Sequence, residues 1–230
     1  MSAPAKEVPT VDINYWNKKW VDEQIAFHRS DIHELLKSNM DIVCSKENKM
    51  KFLFPLCGKT LDMKHMLDKG HEVFGIEGSK VGIEAFLSEH NLTYSITDDG
   101  NYKVYRANEL PITFYHGDFF LFDRLLPEID VIWDRGGLVA VNIADREKYR
   151  DVLIRLMTPT TKLFVVAMFY DDEEIVGPPM CLTDEQVQQL FAPKCTIKLI
   201  TALDCTEDFS TRHKKPVKRM EERLHLIQLK

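Results

Sequence analysis

Apolar residues recur at helical spacing from Val11 to Met40: Tyr15, Trp16 and Trp20 first, Ile25 and Phe27 beyond. That pattern predicts a helical segment broken near Arg29 and Ser30. From Lys51 the pattern changes to short alternating units. Lys51–Leu56 reads as a buried strand, Thr60–Lys69 as a helix and Glu72–Ile76 as a second strand. Ser79–His90 reads as a second helix, with Ser79 placed to cap it. Asp98-Asp99-Gly100-Asn101 marks a turn. Two β-like pieces follow, Tyr102–Ala107 and Pro111–Tyr115, which can form a hairpin. Ile129–Trp133 is a further short strand and Ala144–Met157 a helix. Lys162–Tyr170 is too apolar to be anything but central in a sheet. Thr183–Phe191 opens on a Thr183-x-x-Gln186 capping box. Cys195–Asp204 and Arg223–Leu229 alternate like strands and are expected to close the sheet antiparallel.

Strands alternating with helices predict an α/β fold, a mostly parallel sheet with helices on both faces. A chain of 230 residues fits one domain. In such sheets ligands sit outside the carboxyl ends of the strands. The residues to watch are therefore Leu56-Cys57-Gly58, Glu77, Asp118 and Asp134-Arg135.

Composition narrows the function classes. The formal net charge of -6 argues against broad binding to nucleic acid phosphates. The basic stretch "RHKKPVKR" (Arg212–Arg219) has no interleaved aromatics, and Glu207, Asp208, Glu221 and Glu222 flank it. The five cysteines form no C-x-x-C pair and no zinc spacing, which predicts no metal, reduced thiols and a cytoplasmic protein. The longest apolar runs, such as Leu163–Tyr170, are too short to span a bilayer. The N-terminal "MSAPAKEVPT" lacks an apolar signal core and reads as a disordered tail.

The stretch "FPLCGKTLDMKHMLDKGHEVFGIEGS" (Phe54–Ser79) is a strand, a turn, a helix, a strand and an acid. Glu77 follows Gly58 at close to the spacing at which an acid grips a ribose diol; the alternative is an exposed acid at a strand end. Pyrophosphate binding asks for several glycines along such a turn, and this one has Gly58 alone. A ligand with a ribose but no pyrophosphate asks less of it, which favours S-adenosyl-L-methionine over a nicotinamide dinucleotide. Asp118 in "HGDFF" can accept from an adenine amino group, with Phe119 or Phe120 against the ring; the alternative is a turn aspartate before core phenylalanines. Arg135 in "IWDRGG" brings a fixed positive charge to the next strand end, unless it is spent on a salt bridge with Asp134 or another acid.

Taken together, "YWNKKWVDEQIAFH" (Tyr15–His28), Phe54–Ser79, "IWDRGGLVAVNIADREKY" (Ile132–Tyr149), "GPP" (Gly177–Pro179) and "ERLHLIQL" resemble the thiopurine S-methyltransferase family. The match is in order and covers most of the chain from about residue 12. It implies a class I, Rossmann-like methyltransferase fold: a three-layer sandwich around a seven-stranded, mostly parallel sheet with an antiparallel final strand. It implies one domain over residues 1–230, with 1–10 a tail and 11–50 a helical cover. It implies S-adenosyl-L-methionine as cofactor and a small-molecule thiol, aromatic or heterocyclic, as acceptor. By resemblance Trp16 and Trp20 cover the cofactor, and Leu56, Glu77, Asp118 and Phe119 contact it, beside Gly58. Arg135 lies near both cofactor and acceptor. Phe27, Pro178 and Arg212 line the acceptor's side, and Arg135 and Arg212 are the expected catalytic residues. Aromatic thiols ionise readily, so the reaction needs no strong general base. "HGDFF" is more similar to bacterial members and "IWDRGGLVA" to vertebrate ones. The acceptor thus stays open between aromatic thiols and other small thiols or selenium and tellurium species, and a non-catalytic cofactor- or RNA-binding module is the remaining alternative. A monomer without nucleic acid or membrane partners is expected.

Overall fold

The computed structural model describes residues 10–44, 48–171 and 175–230. The expected disordered tail, apart from Thr10, lies outside them, as do residues 45–47 and 172–174. Helix α1 (Ile13–Val21) is followed by two single-turn helices, α2 (Glu34–Lys37) and α3 (Met40–Val43). Then come β1 (Lys51–Pro55), α4 (Leu61–Asp68), β2 (Glu72–Glu77), α5 (Lys80–Glu89), β3 (Tyr94–Asp99), β4 (Tyr102–Ala107) and β5 (Ile112–His116). The chain continues through β6 (Val131–Arg135), α6 (Arg146–Arg155), β7 (Lys162–Tyr170), α7 (Asp184–Phe191), β8 (Cys195–Asp204), α8 (Thr206–His213) and β9 (Met220–Leu229).

The strands form one sheet in the order β3-β4-β5-β2-β1-β6-β7-β9-β8. The five strands from β5 to β7 run parallel, and β9 pairs antiparallel with β7. Alternate residues of the central strands face opposite layers. Leu53, Ile76, Ile132 and Val165 pack against α6 and α7 through Tyr149, Leu153, Val187 and Phe191. Phe52, Phe54, Trp133 and Phe164 pack against α4 and α5 through Met63, Met66, Ile83 and Phe86. The central strands are buried on both faces, which explains the near-continuous apolar runs of β1, β2 and β7. Strand order reverses beside β1, with β2 on one side and β6 on the other. The crevice beyond their carboxyl ends is the place such a sheet offers a ligand.

Several expectations are corrected. The sheet has nine strands among the described residues, not seven, because β3 and β4 extend the edge beyond β5 as a meander. Strand β3 is almost entirely exposed and so carries no burial pattern to betray it. The Val11–Met40 segment holds two short helices, α1 and α2, separated by residues 22–33, and a third, α3, starts at its end. Between α1 and α2 the chain doubles back so that the Phe27 ring meets Trp16 and Trp20 edge-on, with centroids 5.3 and 5.4 Å away. Ser79 precedes α5 but its side chain caps nothing. Arg212 lies on α8, a short helix that buries Phe209 alone, so its apolar stripe is too thin to read in the sequence.

Candidate active site

The turn after β1 is held by backbone geometry that few residues adopt. Leu56 has φ +45° and Gly58 φ +50°. Glu77, at the end of β2, is the buried brace for this turn. Its Oε2 accepts the Gly58 N–H at 2.6 Å and its Oε1 accepts the Ser79 N–H at 2.7 Å. Burial pushes the Glu77 carboxyl above its ordinary value, and backbone N–H groups of Gly58, Ser79 and Gly78 draw it part of the way back. Each oxygen keeps a lone pair beyond the one it uses, so the carboxylate can still accept from a ligand hydroxyl.

The single glycine has a second use. A Cβ at Gly58 would lie 2.9 Å from the Trp20 ring. Trp20 thus rests directly on the turn, where a pyrophosphate would need open backbone. Helix α1 is fixed at its other end by Asn142, which bonds both the N–H and the C=O of Val11 at 2.9 Å. Its first turn is capped by Asp12, which accepts the Tyr15 N–H at 2.7 Å.

Beyond β5, Asp118 starts a 3-10 turn and accepts the Phe120 N–H at 2.9 Å. The Phe119 ring is buried against Tyr149, while Phe120 stays half-buried. At the end of β6, Asp134 does not pair with Arg135. It turns back into the core, where its Oδ1 accepts the N–H groups of Gly137 and Leu138 at 3.0 and 3.1 Å. Burial drives its carboxyl up to about 7, against the pull of Leu138, Tyr149 and Gly137. Arg135 points the other way. It donates to the Phe27 carbonyl at 3.1 Å and lies 3.8 Å from Glu222. Arg212 is clasped by Asp208 at 2.8 and 3.0 Å and donates to the Ala26 carbonyl at 3.0 Å. Both arginines therefore hold the doubled-back segment around Phe27.

These groups enclose two adjoining cavities. The larger, about 630 Å³, has Trp16, Trp20, Leu56, Gly58, Glu77, Asp118, Phe119 and Arg135 in its walls, so every residue expected at a cofactor is there. The smaller, about 380 Å³, is lined by Phe27, Arg135, Pro178 and Arg212, the four expected at an acceptor. Trp16, Phe27, Arg135, Gly136 and Ala140 belong to both, so the cavities meet there. The Pro178 segment is held in place by Met180, whose N–H donates to the Val139 carbonyl at 2.7 Å.

The donor set suits a nucleoside bearing an amino-acid tail. Glu77 and Asp118 put acceptors in the wall of the larger cavity, and Lys59 and Arg29 line it as cations, paired there with Glu89 and Asp208. No group of three or more His, Cys, Asp or Glu side chains among the described residues is placed to hold a metal. The sequence gives no sign of Asn142 or His33, and Glu222 stands out in it only as an acid beside the basic stretch. Asn142 reads as an ordinary loop residue, and His33 and Glu222 are distant in sequence, so only the fold brings them together.

A family model described as thiopurine S-methyltransferase matches residues 11–230. A probable thiopurine S-methyltransferase of Danio rerio is 34% identical over 235 residues, covering 100% of this chain and 99% of the relative. Thiopurine S-methyltransferase of Rattus norvegicus is 35% identical over 240 residues, covering 99% of each. Among solved structures, a Burkholderia thailandensis 1,6-didemethyltoxoflavin-N1-methyltransferase with bound S-adenosylhomocysteine superposes with a TM-score of 0.65, covering 98% of this chain and 94% of that one. At 13% identity it speaks for the fold alone, and that fold is the class I one expected. The match of fold, cavities and nearly full-length sequence leads to one conclusion: the chain belongs to the thiopurine S-methyltransferase family.

Proposed function

We propose that this chain is an S-adenosylmethionine-dependent methyltransferase acting on the sulfur of small aromatic or heterocyclic thiols. The observation that carries the reading is the junction of two cavities at Arg135, one with the Glu77 brace and one with Arg212 and Pro178. When bound, the cofactor supplies a methyl group on a cationic sulfur. Glu77 and Asp118 would hold its ribose and adenine. Trp16 and Trp20 would cover it and exclude water. Phe27 and Pro178 would flank the acceptor ring. Arg135 and Arg212 would favour the acceptor as thiolate, since a fixed cation in a partly buried site stabilises a nearby anion. No residue needs to take the thiol proton at the moment of transfer, because an ionised thiol has already lost it to solvent. Rate would come from placement and dryness at the junction.

We also read residues 1–230 as a single domain working as a monomer in the cytoplasm without nucleic acid. The net charge of -6, the free cysteines and the engagement of Arg212 with Asp208 support that reading. Among the described residues no helix is long and apolar enough to cross a membrane.

The test is calorimetric titration with S-adenosylhomocysteine, with NADH alongside, on wild type and Glu77→Ala. Binding of the first alone, weakened in the variant, is expected, followed by turnover in a screen of aromatic thiols. Binding of NADH, or of neither compound, sinks the cofactor assignment; binding without turnover of any thiol would leave a cofactor-binding protein without this activity.

A further inference from the structure

Behind the junction of the two cavities lies a buried charge that the reaction as described does not use. Glu222, on β9, is 1% exposed and lines the smaller cavity. It sits opposite Met168 of β7 and Leu203 of β8, so its backbone is locked in the sheet. Neither of its oxygens receives a well-aligned hydrogen bond among the described residues. Its charge is faced by His33, whose Nε2 lies 3.0 Å from one oxygen, and by Arg135, 3.8 Å from the other.

The imidazole is held in one orientation. His33 caps α2 with its Nδ1, which accepts the Leu35 N–H at 3.2 Å. A nitrogen that accepts carries no proton, so the proton sits on Nε2, toward Glu222. Asp62 fixes this histidine further by accepting its backbone N–H at 2.8 Å, and it accepts the Trp133 indole N–H at 3.0 Å. Burial alone would raise the Glu222 carboxyl; His33, then Arg135 and Arg29, outweigh it and bring it down to about 2. Glu222 is thus ionised at any working pH. Of the arginines around it, Arg135 is the one that reaches both cavities.

An arginine suits an anionic acceptor but repels a cationic sulfur. Both must approach the junction that Arg135 lines. We propose that Glu222 is the charge-balancing residue of this junction: it offsets Arg135, so that a cationic cofactor is accepted beside an arginine, and it thereby sets the preference for the charged donor over the uncharged thioether product. The inference rests on the functional reading above. A carboxylate fixed by the sheet acts on Arg135 at short range in a medium of low dielectric, where one charge shifts binding of another severalfold or more.

The test is equilibrium binding of S-adenosylmethionine and S-adenosylhomocysteine, without acceptor, to wild type and E222Q. The two ligands differ by one methyl and one positive charge. Glutamine keeps the shape and removes the charge, so E222Q is expected to lose about tenfold in affinity for S-adenosylmethionine relative to S-adenosylhomocysteine. R135M leaves Glu222 without its cation and is expected to shift the ratio the opposite way; it carries the test if E222Q does not fold. The double variant R135M/E222Q should return the ratio toward wild type, a rescue that a purely structural role would not give. A ratio within twofold of wild type in the single variant that folds overturns the proposal. Failure of wild type to bind either compound overturns the functional reading instead.

Discussion

Asp134 sits in an environment far from that of a free side chain. It is ionisable, fully buried, and its carboxyl is raised to about 7 from an ordinary 3.8. The direction fixes the pH dependence. The folded state holds a proton that the unfolded chain has released, so stability falls as pH rises between about 4 and 7. Above that window the ionised, buried form costs up to about 4 kcal/mol. Asparagine would keep the oxygen that accepts from Gly137 and Leu138 and could turn its amide toward Tyr149. Asp134→Asn is therefore expected to raise stability by ~2 kcal/mol at pH 8 and to flatten the pH profile from 4 to 7. Urea unfolding across that range checks it, and a variant less stable than wild type at pH 8 would show that the charged form is the one the fold uses. Glu222 runs the other way. Its carboxyl is depressed to about 2, so its contribution is present above about 4.5 and is lost as pH falls toward 2.

At the scale of elements the question is how a short amphipathic helix comes to cover a binding crevice. Helix α1 does so by resting on glycines. A Cβ at Gly58 or Gly82 would lie 2.9 or 3.2 Å from Trp20, and one at Gly78 would lie 2.9 Å from Ile13. Gly58→Ala meets two costs at once, a left-handed backbone and a ring already in place. We expect a loss of ~2–3 kcal/mol and weaker S-adenosylhomocysteine binding as α1 is pushed off. Gly70→Ala is the control, because its φ is +85° but nothing lies within 4 Å; it should cost only ~1 kcal/mol and leave affinity intact. Combining Gly58→Ala with Trp20→Ala should cost less than the two separately, since the clash is then gone. Equal affinity in wild type and Gly58→Ala would mean that α1 is packing and not a cover. The rest of the N-terminal segment is not a detachable lid, because Leu35, Leu36 and Val43 are buried in the core beneath α4.

The same elements show what could be read from sequence. Strand β7 and the Thr183–Gln186 capping box of α7 stand where the pattern put them, since burial on both faces and a local cap are written in consecutive residues. Arg135 and Glu77 were legible because strand ends are fixed by the strands before them. Strand β3 and helix α8 were not, for neither buries a regular stripe. The pairing of His33 with Glu222 joins residues from opposite ends of the chain, and no local pattern encodes it. The charge of Arg135 was visible in the sequence; the group that balances it was not.

At the scale of the whole molecule, the crevice draws on both layers of the sandwich. Glu77 and the Gly58 turn belong to the β1–α4–β2 side, Asn142 precedes α6 on the other, and α1 bonds across to it. A ligand in the larger cavity would touch elements of both layers together. Its binding should therefore stabilise the fold as one unit. At a concentration 100 times its dissociation constant, a ligand that binds only the folded state adds ~2.7 kcal/mol. For a chain of this size that corresponds to a rise in Tm of roughly 5–10 °C. S-adenosylhomocysteine is expected to give this shift in a single cooperative transition, and NADH to give none, because Trp20 occupies the backbone a pyrophosphate would need. Scanning calorimetry with each compound decides it. If S-adenosylhomocysteine splits the transition, with an upper component that moves and a lower one that does not, then α1 undocks separately and the crevice is closed by only part of the fold. If NADH shifts Tm as much, Trp20 yields readily, and the single-glycine turn does not select against a dinucleotide.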